Sequence, residues 1–353
     1  MVALESAQAL SQRGHIVITA CLPGSPLEAA LNKAALVALP LPRKHKYFAW
    51  KALRGLRMEI EKHKPSAVLV QQLNDLWQVV PALRGHSKIR LIGLAHTFVG
   101  IDKKDLLHRW LYNRVDGLVA LTELHRKNLM QHLPVPPERL LVLPNSIDTV
   151  KFNPTRASAA WRERWAGPDT ELLVGVVSRL DRNKGLLESV AAAQCWRDWG
   201  LKIRMVIIGK ETAGQPGAHE MLSAEIRKRS LESEVRLIGH HEDIATAIAS
   251  LDVLLMPSPA ETFGRVLIEA MACGVPVVAS AGGGVPDIIR DGENGLLVPP
   301  LDSMAMAKAI RRYHDSPELR QRISEQGLRD AKNIYAADAV QSRLRDILGL
   351  SSH

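Results

Sequence analysis

Short runs of β-branched and aliphatic residues alternate with helical patterns along nearly the whole chain. Few architectures accept that alternation, and parallel sheets covered by helices on both faces are foremost among them. The expected fold class is therefore α/β. Strands are predicted at 15–21, 67–70, 89–95, 117–121 and 140–143 in the first half. In the second half they fall at 172–177, 203–208, 235–238, 253–256, 275–279 and 296–298. Between the halves lies PNSIDTVKFNPTRAS, residues 144–158, which is polar, carries two prolines and has no period. It reads as a linker. The 353 residues suffice for two domains, each with its own core. The expected division is 1–150, 151–334, and a closing helix over 335–353 marked by Tyr335, Val340, Leu344 and Leu348.

The start of the chain breaks the pattern. A helical stretch, Val2 to Ser11, leads through Arg13-Gly14-His15 straight into a strand. A doubly wound domain normally begins with a central strand and a glycine-rich turn ahead of that helix. Either the start lies upstream of Met1, or the N-terminal domain lacks its first strand and glycine loop. The opening helix has neither the cationic start nor the cleavage site of a signal peptide. No apolar run approaches the roughly 18 residues of a membrane span. Cys21, Cys195 and Cys273 lie far apart in no metal-binding spacing, so a zinc site is not expected and a reducing compartment suits them. Cytoplasmic placement follows, with peripheral contact at the inner face of the cell membrane as a further expectation.

Two stretches carry chemistry. In residues 257–300 the pattern reads strand, loop, helix, strand, glycine loop, helix. Glu261, Phe263 and Gly264 occupy the first loop, the helix runs from Gly264 to Cys273, and Gly274 closes it. A helix N-terminus at the carboxyl end of a parallel strand offers amides and a dipole to an anion such as a diphosphate. Gly282, Gly283 and Gly284 read as a second turn of that kind. Glu261 and Glu269, eight residues apart, can accept hydrogen bonds from paired sugar hydroxyls. The other stretch is SRLDRNKG, Ser178 to Gly185, which follows a strand and opens a helix. Its Arg179 and Lys184 suit the flanks of a diphosphate, one as a fork and one as a point charge.

These residues also carry a resemblance. ETFGRVLIEA resembles the Glu-x7-Glu signature of glycosyltransferase family 4, and SRLDRNKG is similar to that family's GRLxxxKG loop. RGHIVITA, LPNSIDTVKFNP and DGENGLLVPPLD match family segments in the expected order. The resemblance implies the GT-B architecture, two Rossmann-like domains facing a cleft, with the acceptor on the first and the nucleotide-sugar on the second. It implies a retaining transferase with no bound metal and no cofactor, taking a UDP- or GDP-sugar as substrate. By position, Arg179 and Lys184 would bind the diphosphate and stabilise the leaving group. Amides at Gly264, Arg265 and Val266 would add to that. Glu261 would hold sugar hydroxyls and Glu269 the ribose. Ser178 and Phe263 fall within the donor motifs, and the base is placed near Gly209–Glu211 and Gly239–His241. His96, after the strand 89–95, occupies the place of a histidine facing the transferred sugar. Ser178 and Ser146 replace glycines of the family pattern.

The acceptor is open: a lipid-linked glycan, a lipopolysaccharide or polysaccharide precursor, or a soluble glycoside. The net charge of +9 fits phosphorylated ligands, an anionic membrane, or a generally basic surface. Nucleic acid is not expected, because aromatics are 4% and no binding motif occurs. Residues 43–64, RKHKYFAWKALRGLRMEIEKHK, suggest a basic amphipathic helix that either rests on an anionic membrane through Lys44, Lys46 and Lys51 or is simply solvated. Two other readings of the chain remain: a nucleotide-sugar epimerase on the same fold, and a non-catalytic subunit that binds sugar nucleotides.

Overall fold

The computed structural model describes residues 2–41, 50–212 and 216–350. It divides into two compact units, Met1–Asn145 with Asp338–His353, and Ser146–Ala337.

The second unit is built on six parallel strands: β7 (Leu172–Val177), β8 (Ile203–Ile208), β9 (Val235–Gly239), β10 (Val253–Met256), β11 (Val277–Ser280) and β12 (Leu296–Val298). Their spatial order is β12-β11-β10-β7-β8-β9, so the chain reverses direction across the sheet between β7 and β10. Ligands of such sheets bind outside the carboxyl ends of the strands at this switch point. The central strands are continuous apolar runs because helices cover both faces. Trp196, fully buried, donates Nε1–H to the Ala307 carbonyl at 3.2 Å. Tyr313, also fully buried, donates its hydroxyl to the Val277 carbonyl at 3.0 Å. Asp330 is a buried carboxylate, and it accepts from Arg290 at 2.9 Å, Asn294 at 2.7 Å and Gln326 at 2.9 Å. Those bonds supply what burial of a charge requires.

The first unit contains two parallel sheets. One pairs β1 (Ile18–Cys21) with β2 (Val37–Pro40); the other runs β3-β4-β5-β6, from Ala67–Val70, Arg90–Leu94, Gly117–Ala120 and Leu140–Val142. Among the described residues no strand pairs β1 with β3. β4 and β5 are almost wholly buried, whereas β3 is half-buried for most of its length. The sequence pattern does not mark β2. It is four residues ending in Pro40, and a proline is tolerated there because among the described residues β2 pairs with β1 alone.

The closing helix is Ala337–Leu348, and from Asp338 onward it belongs to the first unit. Its Val340, Leu344 and Leu348 cluster with Leu10, Ile92, Leu94, Val119 and Leu143. Arg13 pairs with Asp338 at 3.0 Å, and Arg343 donates to the Val142 carbonyl at 3.1 Å. Of the basic stretch 43–64, residues 50–64 are described; they form the helix Trp50–His63 and Lys64, with Ala52 and Ile60 buried and an exposed Arg57–Glu61 pair at 2.9 Å. Lys44, Lys46, Tyr47 and Phe48, and the side chains of Trp50 and Lys51, lie outside the described residues. No described helix is long and apolar enough to cross a membrane.

Leu344→Ala is expected to cost about 2–5 kcal/mol, the usual range for truncating a buried leucine. Urea denaturation followed by circular dichroism should show the loss. An unchanged midpoint would mean that the closing helix does not stabilise the first unit.

Candidate functional site

The loop after β10 is set by backbone approaching backbone. Gly284 N donates to the Glu261 carbonyl at 2.7 Å, and Glu261 bridges Gly283 in parallel fashion. A Cβ on Gly282 would lie 1.8 Å from the Pro259 carbonyl oxygen, and one on Gly283 would lie 2.1 Å from that of Glu261. Neither distance is attainable, so these positions require glycine. Here the structure corrects the sequence reading. The glycine run leads not to an α-helix but to a single 3-10 turn, Val285–Asp287. Its role is to clamp the Glu261 loop.

That loop ends at Gly264, whose φ of +79° is left-handed, and the helix Arg265–Ala272 begins there without a side-chain cap. Its dipole favours negative charge at this end. Phe263 is buried and meets Tyr335 edge-on at 6.0 Å, so its ring is part of the core. Glu269 lies on the helix with Arg265 Nε 4.0 Å away. Behind it, burial pushes the Cys273 thiol up to about 12, with the charge of Glu269 adding to the effect. That thiol is inert at neutral pH.

The neighbouring β7 supplies the second arm. Asp181 caps the turn Arg182–Lys184 by accepting from Asn183 N at 3.0 Å. That backbone bond first, then Thr212, Arg179 and Lys184, hold the Asp181 carboxyl below its usual range. Gly185 follows at φ +67°, and a Cβ there would lie 2.2 Å from the Pro257 carbonyl oxygen. This close approach brings the β7 and β10 loops together. As a result Lys184 Nζ donates to Glu261 Oε1 at 2.6 Å, and both side chains are only partly exposed. Arg179 is exposed. Ser178 donates its hydroxyl to the Arg179 carbonyl at 3.0 Å. A Cβ on Gly209 would lie 1.8 Å from the Ser178 carbonyl oxygen, and Gly209 N donates to the Gly239 carbonyl at 2.8 Å. Ser178, Gly209 and Gly239 therefore line the carboxyl ends of β7, β8 and β9 side by side.

In the first unit His96 follows β4 and is half-buried, with Nε2 3.3 Å from Gln71 Oε1 after β3. Burial lowers its pKa. Sequence reasoning missed its support. His125, fully buried, accepts from Leu121 N at 3.3 Å and donates from Nε2 to the Thr97 carbonyl at 3.0 Å. That pair of bonds assigns the neutral tautomer with the proton on Nε2. Asn128 adds two bonds to Val99, at 2.8 and 3.1 Å. The loop carrying His96 is thus pinned by the helix Glu123–His132. Only the buried position of His125 marks it out, and a buried position is not visible as a motif. Among the described residues no group of three or more His, Cys, Asp or Glu is placed to hold a metal ion.

Residues 158–330 match the family model described as glycosyl transferases group 1, and residues 1–151 match that of glycosyltransferase family 4. The chain belongs to glycosyltransferase family 4. Among curated relatives of this family member is a D-inositol 3-phosphate glycosyltransferase of Corynebacterium glutamicum, 28% identical over 76% of this chain and 66% of that protein. Another, of Actinosynnema mirum, is 31% identical over 65% of this chain and 56% of that protein. The aligned stretch thus spans less than two thirds of either relative. The fold is that of GT-B glycosyltransferases. A Rickettsia africae glycosyltransferase superposes with a TM-score of 0.88 at 18% identity, over 98% of this chain and 93% of that one. The Anabaena protein HepE in complex with UDP-glucose gives 0.82 at 19% identity, over 99% and 94%.

Burial lowers the pKa of His125 in the folded protein. The unfolded chain then takes up the proton first, so the stability His125 provides falls as pH drops through about 6.5. The stability gap between wild type and His125→Gln should narrow between about pH 7.5 and pH 5. A gap that widens on acidification would refute the neutral assignment.

Proposed function

We propose that this chain transfers a sugar from a nucleoside-diphosphate sugar to an acceptor, with retention at the anomeric carbon. The observation that carries the reading is the contact between Lys184 and Glu261, which brings a cation and a carboxylate together beside an uncapped helix start. The donor diphosphate sits against Lys184, Arg179 and the amides at Gly264, Arg265 and Val266. Charge grows on the departing phosphate as the glycosidic bond breaks, and fixed cations and amide dipoles lower the energy of that state without reorganising. Glu261 accepts from sugar hydroxyls, and Glu269 from the ribose. The base rests along Ser178, Gly209 and Gly239, where Gly239 leaves open the space that a side chain would fill.

Departure and attack take place on one face of the sugar. As the bond from the anomeric carbon to the phosphate oxygen breaks, the acceptor's hydroxyl oxygen bonds to that carbon and its proton passes to the departing phosphate oxygen, so the step calls for no enzyme nucleophile. HepE was solved with UDP-glucose, which supports a UDP-sugar as the donor to try first. The acceptor carries hydroxyls and is a lipid-linked glycan, a polysaccharide precursor or a polyol phosphate.

A donor panel should show UDP or GDP raising the thermal midpoint, and the matching sugar nucleotide being hydrolysed slowly without acceptor. Lys184→Met should lower turnover about 10²–10³-fold. Glu261→Gln should keep diphosphate affinity while losing discrimination among sugars. Gly282→Ala should weaken donor binding by displacing the Glu261 loop. An epimerised donor as the sole product would replace transfer by epimerisation. Binding of every variant at wild-type strength would overturn the site.

A further inference from the structure

The helix Leu106–Asn113 is apolar on two opposite sides. Leu111 and Tyr112 face the core and are buried. On the other side Leu106 is 83% exposed, Leu107 65% and Trp110 53%. Residues 106 and 110 are one turn apart, and 107 and 110 stand three apart, so these side chains form one stripe. Ile101, in the loop just before, is 70% exposed. Packing does not explain this stripe, because the helix already has its core contacts.

The helix is held firmly. Asp105 caps it, accepting from Leu107 N at 3.0 Å and His108 N at 3.1 Å. Lys103 N donates to the His132 carbonyl at 2.9 Å, which ties the preceding loop to the next helix. Beside the stripe runs an open groove of about 650 Å³ lined by Lys104, Arg109, Trp110, Asn113 and residues 133–136. Both charged residues of that lining are cations. The nearby carboxylates are engaged: Asp105 with the helix start and His108, and Asp102 with His132 at 2.7 Å.

We propose that this face of the first unit docks on an anionic lipid surface, with Leu106, Leu107 and Trp110 entering the headgroup boundary while Lys104 and Arg109 meet lipid phosphates. Exposed leucines beside a tryptophan suit the interface, where an indole has an apolar body and a polar edge. Cations beside them add attraction to an anionic surface that salt screens. A protein partner of matching shape would have to bring acidic groups to the same two cations, whereas a lipid surface presents them everywhere. The inference is independent of the sugar-transfer reading and differs from the basic stretch 43–64 as the point of contact.

The test is sedimentation of the full chain with phosphatidylcholine vesicles, with and without phosphatidylglycerol. Wild type should partition onto the anionic vesicles, less so as salt rises. Replacing Leu106, Leu107 and Trp110 together by serine should weaken partitioning about tenfold or more, given the apolar area removed. Lys104→Glu with Arg109→Glu should weaken it and flatten the salt dependence. Each variant should keep the wild-type circular dichroism spectrum and thermal midpoint. The proposal is overturned if wild type does not bind or if the serine variant binds as wild type does. It is also overturned if Lys44→Glu with Lys46→Glu abolishes binding that the serine variant retains. A wild-type dimer that the serine variant converts to monomer, without vesicle binding, would assign the face to a second copy instead.

Discussion

The hydrogen bond from Gly284 N to the Glu261 carbonyl, at 2.7 Å, fixes two loops against each other where no side chain fits between them. The rest of the site depends on that contact. It sets where the 257–264 loop runs, where the helix Arg265–Ala272 starts, and how far Glu261 extends. Gly185 repeats the device on the other side, lying against Pro257 and delivering Lys184 to Glu261. Two charged groups from loops 77 residues apart in sequence thereby meet at hydrogen-bonding distance. On the proposed function, a cation held this way would not have to rearrange as charge develops on a leaving group.

The first unit shows a second kind of constraint. Its loop after β4 is fixed not by glycine but by a buried neutral histidine and an asparagine from one helix. Side-chain hydrogen bonds to loop backbone do there what close backbone approach does in the second unit. The closing helix supplies part of the same unit's core from the far end of the sequence, so its stability couples the two ends of the chain.

Much was legible in advance. Eleven strands were placed from β-branched runs, because strands buried on both faces read as continuous apolar segments. β2 escaped because a four-residue edge strand ending in proline leaves no such signal. The Glu261 and Lys184 motifs are recognisable as short strings, whereas the task of the glycine run is not. As a string, Ala281-Gly-Gly-Gly-Val285 suggests a phosphate-binding turn, but whether an α-helix follows depends on contacts made elsewhere. Phe263 sat within a donor motif, and its ring turned out to belong to the core with Tyr335.

The sequence by itself determined the α/β class, the two-part organisation and the residue types available at each strand end. These follow from local periodicity and from short motifs, which depend only on near neighbours. Tertiary structure alone decided that Lys184 pairs with Glu261, that His125 supports the loop of His96, and that Leu106 and Trp110 are left facing solvent. Each is a matter of which distant segments touch, and burial and contact are properties of the folded chain that no local pattern encodes.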